Sequence, residues 1–391
     1  MSVPSLEKQS WLSEMLGAGI GSLDISRSEY EAVVSRYELL GRTLDTYWQD
    51  SNLKNLAYPQ GSFALGTVTR SIHRNDEIDI DLVVVRGLSK NSTTQVQLKE
   101  DTGNGLREFL GRPDSGGPAL SESDRCWTLE YAGMHMDVLP GIPDGKSETG
   151  IEITDREVVH WQPSDPKGYA KWFNEVGHPE LAERQWNLKM GGVDVAEVPD
   201  WRLKTNLQLS VQALKRHRDI YFADRLHRRP TSIVITTLAA LAYQRASVNV
   251  GGEELYEAIR VIAGGLGDGV DRVDGLWTIE NPAMPSENFA DYWVDEGWRA
   301  GELFNWISAV QQDISDMPTS SGSEVVLSRI GTAFGGNVKL ASARAISEPM
   351  LAARRSGQLR SAMSTAMLSS TSAGARTVRP HTFHGGIRRQ L

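Results

Sequence analysis

The chain has 391 residues, 40% hydrophobic and 23% charged, enough for one large domain or two packed ones of ordinary globular composition. Its formal net charge of -9 argues against long nucleic acid as a bound partner, because phosphate contacts draw on Lys and Arg, yet it leaves room for a local basic cleft around a small anion. Cys126 is the single cysteine, which excludes an intrachain disulfide and a cysteine-based zinc cluster.

The N-terminal segment lacks a basic start followed by a long apolar run. No stretch reaches the roughly 18 apolar residues of a membrane span. The expected setting is the cytoplasm, away from a membrane.

Ser26 and Glu29 form a capping box. Tyr30, Val33, Tyr37, Leu40, Leu44 and Tyr47 then recur at helical spacing, which predicts one long helix over 27–50 whose stripe packs on the back of a sheet or on a second domain, with a bridge between two domains as one arrangement. Asp76 and Glu77 read as a turn. The residues after them alternate acidic and apolar and then become fully apolar, as in a strand that enters a core with one wet face at its start. A helix is expected over 96–110. One or two further strands are expected over 127–139, ended by Pro140, Gly141 and Pro143. Residues 140–165 are turn-rich and are expected to lead out of the sheet. Helical patterns follow at 167–176, 203–222, 232–246, 253–263, 287–297 and 299–314. Beyond Glu348 there is no acid, while Arg354, Arg355, Arg360, Arg376, Arg379, Arg388 and Arg389 follow in a stretch rich in Ser, Ala, Gly and Thr. The expected organisation is an α/β (α+β) domain over 1–165, a helical domain over 166–350 and a basic flexible tail over 351–391.

Asp79 and Asp81 stand two apart, so on a strand both carboxylates share one face while Ile78, Ile80 and Leu82 face the core. Two adjacent carboxylates repel, and a divalent cation such as Mg²⁺ relieves that repulsion with oxygen ligands. Asp137, an acid interrupting the apolar run from Met134 to Pro140, is the candidate third ligand if its strand lies alongside. Such a trio can hold a donor triphosphate and activate an acceptor hydroxyl. Chance Asp-x-Asp pairs in strands are common, so the pair by itself leaves a purely structural reading open. His135 reads as a structural or substrate-lining residue, since no other His lies at zinc-ligand spacing.

Upstream, Gln60, Gly61 and Ser62 open a segment suited to phosphate: glycine permits close approach of backbone, and Ser62 offers a hydroxyl and an N–H. Phe63 and Leu65 would anchor it in the core. The segment matches neither a Walker A loop nor a dinucleotide fingerprint. Farther on, Lys215 to Arg218 form a basic run at a helix end. Lys215 either reaches a triphosphate or belongs to a solvated basic turn favoured by the helix dipole. Ser232 opens the next helix as a phosphate contact, an N-cap or both. Asn281 and Asn288 read as structural caps.

Taken together, Gln60 to Thr67, Asp76 to Val83 and His135 to Pro140 resemble the polymerase-beta-like nucleotidyltransferase superfamily, and within it the bacterial cGAS/DncV-like nucleotidyltransferases (CD-NTases). Trp161 to Phe173, Leu214 to Asp219, Pro230 to Ala239, Asn281-Pro and Glu287 to Asp291 support the narrower resemblance, which spans residues 30 to 315. It implies a bilobal enzyme: a polymerase-beta-like core with a mixed sheet, a C-terminal helical domain, and the active site in the cleft. It implies synthesis of a cyclic di- or trinucleotide from ATP or other nucleoside triphosphates, with release of pyrophosphate. The product would be a second messenger in antiphage (CBASS) defence. Asp79, Asp81 and Asp137 match the family's triad for Mg²⁺ or Mn²⁺; Gly61 and Ser62, after Gln60, match its phosphate-holding motif; Lys215 and Ser232 match its triphosphate contacts. The basic tail is similar to ends that an accessory regulatory protein engages. Two rivals stay open: a nucleotidyltransferase acting on an RNA end, small molecule or protein, and a nucleotide-binding module without catalysis.

Overall fold

A computed structural model describes residues 5–48, 57–70, 72, 78–154, 160–177, 204–246, 254–294, 296–320, 322–356 and the pairs 360–361, 368–369 and 376–377. Its centre is a seven-stranded sheet in the order β1 (Ala57–Gln60), β2 (Ile78–Val85), β5 (Met134–Pro143), β4 (Trp127–Tyr131), β3 (Ala119–Glu122), with β6 (Ile151–Ile153) on β5 and β7 (Gln162–Ser164) on β6. β2 and β5 run parallel and every other pairing in it is antiparallel, so the sheet is mixed. One face carries Ile80, Leu82, Leu129, Met136 and Val138 into a core with the apolar stripe of α2 (Arg27–Trp48) and with α4 (Gln95–Leu110). Fully burying such side chains stabilises by ~1.5–3 kcal/mol each.

Both helices start where their caps dictate. Ser26 and Glu29 exchange hydrogen bonds ahead of α2, and Thr94 and Gln97 do so ahead of α4. The buried residues Val33, Tyr37, Leu40 and Leu44 of α2 all belong to the sheet core, so of the two expected placements this stripe takes the back of the sheet. An unexpected helix, α1 (Leu6–Gly21), buries Leu12, Met15, Leu16 and Ile20 in the other core. The chain therefore starts in the helical lobe, crosses to the sheet and returns, which separates residues 6–21 from the sheet-bearing half in which they were expected.

Residues 140–165 do not leave the sheet. β5 continues through Pro140, and β6 and β7 extend the ladder. Proline is tolerated there for a local reason. Backbone groups alternate in direction along a strand, and Gly141 O turns toward β2 to accept from Arg86 N. Position 140 thus points the other way, into the gap between the last β4 pair at Val138 and the first β6 pair at Gly141, where no ladder donor is needed.

The helical lobe comprises α1, α5 (Pro166–Gly177), α6 (Asn206–Tyr221), α7 (Ser232–Ala246), α8 (Leu255–Gly265), α9 (Trp298–Asp316), α10 (Ser323–Phe334) and α11 (Gly336–Arg355), packed around Leu207, Val211, Leu214, Ile259 and Trp306. In place of the helix expected over 287–297, the chain closes a hairpin, β8 (Glu280–Asn281) with β9 (Met284–Asn288), and then makes a short 3₁₀ turn at Asp291–Val294. Asn288 is the cause: its Oδ1 accepts from Ile279 N and Ala290 N, and its Nδ2 donates to Trp277 O. α11 runs five residues into the stretch expected as a flexible tail, ending at Arg355. A two-residue strand at Arg360–Ser361 pairs with Leu368–Ser369 on one side and with Arg376–Thr377 on the other. The rest of the tail, like Asp76 and Glu77, lies outside the described residues.

Candidate active site

Asp79 and Asp81 lie on the sheet face opposite α2, Asp79 exposed and Asp81 half-buried. The register puts Asp81 directly beside Asp137 on β5 and Asp79 beside His135. Gln60 on β1 pairs with Asp81 from the other side, and Thr128 on β4 pairs with Asp137. Directly paired residues share a face, so Gln60, Asp81, Asp137 and Thr128 form one row across four strands, with Asp79 and His135 in the adjoining row. Thr128 Oγ1 donates to Asp137 Oδ1 at 2.6 Å, which fixes one carboxylate oxygen and leaves the other for a ligand.

After β1 the chain turns at Gly61, whose φ of +57° is costly for any residue with a Cβ. A Cβ there would stand 2.4 Å from Asp81 Oδ2. Glycine is thus required twice, for the turn and for the approach of backbone to carboxylate. The helix that follows, α3 (Gly61–Ala64), is a single turn, so phosphate there would meet backbone N–H groups of a turn rather than a long helix dipole. Ser62 is half-buried, and its carbonyl accepts from Thr67 N at 2.9 Å. Phe63 and Leu65 are buried, each in a different core.

Burial pushes the Asp81 carboxyl up to about 6, reinforced by the Asp137 and Asp79 charges and opposed by Lys215 and Arg125. Crowded, partly dehydrated carboxylates with a glycine backbone against them suit a hard divalent cation in donor chemistry. Among the described residues, however, no three His, Cys, Asp or Glu side chains stand together as a metal-ligand set. The fold aligns the three aspartates on adjoining strand positions of one face without gathering them on one point.

The basic run of α6 is not a solvated turn. Lys215, Arg216, His217 and Arg218 are all buried. Lys215 Nζ donates to Thr67 O at 3.2 Å and Thr67 Oγ1 at 3.1 Å. Burial, then the neighbouring Arg218, pushes its ammonium down to about 7, while Asp81 and Asp219 pull the other way. Its charge therefore acts on the carboxylate row from inside the contact between α6 and the segment after Gly61. Ser232, at the first position of α7, is exposed, and its Oγ accepts from Arg218 Nη1 at 3.1 Å. Arg218 bears on Lys215 through charge alone.

Several participants escaped the motif-based expectations. Lys204, Gln208 and Gln212, four apart, donate to Gly66 O, Leu65 O and Val68 O at 2.8, 2.9 and 2.6 Å. With Lys215 on Thr67 O and Arg216 on Arg70 O, α6 and the residue leading into it bind the backbone carbonyls of residues 65–70 and dock the phosphate-type turn against the helical lobe. Two glutamines at helical spacing beside an apolar stripe were the available signal, because such groups are buried only when partnered. Arg125, exposed at the end of the β3–β4 turn, bears electrostatically on Asp81; Thr154 Oγ1 donates to its carbonyl at 2.8 Å, and Lys99 Nζ donates to Ser123 O and Asp124 O in the same turn.

Residues 9–176 match the family described as the Second Messenger Oligonucleotide or Dinucleotide Synthetase (SMODS) domain. A c-di-GMP synthase of Roseivirga ehrenbergii is 27% identical over 381 residues, covering 96% of this chain and 97% of that protein. The CD-NTase CdnG of Bradyrhizobium diazoefficiens, solved with GTP, superposes with a TM-score of 0.62 at 22% identity, over 86% of this chain and 99% of that one. Escherichia coli DncV in its 3'-deoxy GTP-bound form gives 0.55 at 17% identity, over 82% and 94%. The mixed sheet, the helical lobe and these likenesses agree: residues 9–176 match the SMODS family, and the chain has the fold of the solved CD-NTases.

Proposed function

We propose that this chain joins nucleoside triphosphates into a cyclic di- or trinucleotide with release of pyrophosphate, and that the product is a second messenger in CBASS antiphage defence. The observation that carries the reading is the direct pairing of Asp81 with Asp137, beside Asp79, with the Gly61 backbone against the Asp81 carboxylate. Likeness to a c-di-GMP synthase along nearly the whole chain supports the choice of product class.

Asp79, Asp81 and Asp137 would hold Mg²⁺ or Mn²⁺, and the ion would supply charge neutralisation at the phosphates and a lowered pKa for an acceptor hydroxyl. Gly61 and Ser62, next to Gln60, present backbone N–H and hydroxyl donors to the triphosphate. Lys215 acts through Thr67 and through its charge, stiffening the turn that carries those donors. Ser232, held by Arg218, takes an outer phosphate oxygen. A ribose hydroxyl attacks the α-phosphorus of a second nucleotide, the bond to the β-phosphate breaks, and pyrophosphate leaves; a second such displacement closes the ring. No side-chain nucleophile is needed, because positioning and charge stabilisation carry the rate. No described helix is long and apolar enough to cross a membrane, and ATP- or GTP-fed synthesis belongs in the cytoplasm. The basic tail is the site for an accessory regulatory protein.

Incubation with labelled nucleoside triphosphates and Mg²⁺ or Mn²⁺, then phosphatase, tests the reading. A phosphatase-resistant product with the mass of a closed ring is expected. A linear or tailed product whose terminal phosphates phosphatase removes overturns cyclisation and turns the assignment toward transfer onto another acceptor.

A further inference from the structure

Lys167 sits in the first turn of α5, and its Nζ lies 4.3 Å from the centroid of the Tyr58 ring. Tyr58 pairs with Val83 two positions along β1 from the Gln60–Asp81 pair, so its ring is on the same sheet face as the carboxylate row, ~7 Å along the strand. The ammonium is half-buried. Its ring contact with Tyr58 is accompanied by no hydrogen bond or ion pair among the described residues. The nearby acid Asp165 is committed elsewhere: Oδ1 accepts from Gly168 N at 2.8 Å and Oδ2 from Thr149 Oγ1 at 3.0 Å. Burial, against the pull of Asp165 and Glu148, holds the Lys167 ammonium below the usual lysine range.

Two of these features oppose stability. A cation in the first turn of a helix faces the positive end of its dipole. A half-buried ammonium with no ion pair among the described residues loses hydration and gains a ring face and the distant pull of two carboxylates in return. A group kept in such surroundings beside a reactive centre is a functional candidate.

Resting on the nucleotidyltransferase reading above, we infer that Lys167 is a substrate-binding residue that donates to a phosphate oxygen of a nucleoside triphosphate anchored at the aspartate row. The span from Asp81 to the Tyr58 ring is one that a polyphosphate bridges, and the ligand's negative charge supplies the direct ion pair that Asp165 and Glu148 do not make. The ring of Tyr58 sets the height of the ammonium above the sheet. In the free enzyme the same ring keeps Lys167 from collapsing onto the carboxylates.

The test is calorimetric binding of an α,β-non-hydrolysable GTP analogue, with guanosine as the phosphate-free probe. Wild type is compared with Lys167→Met, which keeps the stem over Tyr58, and with Lys167→Arg, which keeps the charge. Lys167→Met should weaken the analogue at least tenfold, leave guanosine within twofold, and raise KM more than it lowers kcat; Lys167→Arg should recover most of the affinity. Unchanged analogue affinity in Lys167→Met, or equal loss for analogue and guanosine, overturns the inference, and a melting curve matching wild type removes misfolding as the cause. Wild-type pyrophosphate release separates the two levels. If it is present while Lys167→Met binds normally, only the role of Lys167 falls. If wild type neither turns over nor binds any triphosphate, the functional reading falls and the inference with it.

Discussion

Gly61→Ala is the substitution whose effect the geometry fixes most closely. At φ +57°, alanine costs about 1–2 kcal/mol in backbone energy. Its Cβ would lie 2.4 Å from Asp81 Oδ2, so turn or carboxylate must shift by about 1 Å to reach ordinary contact. A displacement of that size at a reacting centre costs about 100-fold in rate. Gly66→Ala is the matched control. Its φ is +67°, so the backbone cost is alike, but its Cβ would meet Gln208 Nε2 at 2.7 Å, the end of a flexible amide that holds Leu65 O. Both variants should melt a few degrees lower than wild type, on the order of 2–4 °C per kcal/mol. Pyrophosphate release under single-turnover conditions should fall about 100-fold in Gly61→Ala and less than about tenfold in Gly66→Ala. Equal losses in the two variants, or full activity in Gly61→Ala, would show that the close contact with Asp81 has no part in turnover.

Thr128→Val removes the donor to Asp137 Oδ1 at nearly constant volume; it should cost about 1 kcal/mol of stability and roughly tenfold in kcat, read by melting and by steady-state release. Lys215 has its folded pKa near 7, below its ordinary 10.5, so the stability it contributes is complete above about pH 10.5 and declines as pH falls toward 7. Lys215→Met should flatten that decline and hold or raise the melting temperature at pH 7 while cutting turnover, whereas a steeper decline would contradict the burial argument. Arg125→Ala removes an exposed cation whose charge reaches Asp81, so melting should stay unchanged while KM for the triphosphate rises severalfold; an unchanged KM would remove Arg125 from the site.

The acid row was legible because strand alternation fixes the face of Asp79 and Asp81, and because Asp137 interrupts an apolar run of the kind that lies beside another strand. Helices with strong caps or long stripes were legible as well, α2 and α4 among them. Placement between lobes was not. The stripe of α2 shows that it packs but not on what, and the stripe of α1 is fully buried in the lobe far along the chain from it. Proline and glycine at 140 and 141 read as a stop because sequence cannot show that a neighbouring strand ends beside them. The basic run of α6 left a solvated turn and a triphosphate contact equally open because its acceptors are backbone carbonyls of residues 67 and 70, which no residue pattern displays. Lys167 was visible only as part of a motif; its place over the Tyr58 ring, with no ion pair among the described residues, is a property of the folded chain.

The central claim is that the paired aspartates carry metal-dependent nucleotidyl transfer. The most direct measurement is pyrophosphate release by the Asp79→Ala, Asp81→Ala double variant beside wild type, with Mg²⁺ or Mn²⁺ and all four triphosphates. Release in wild type that stops with chelator, and none above background in a double variant that melts normally, is the predicted outcome. Undiminished release by the double variant would place the chemistry elsewhere and contradict the account.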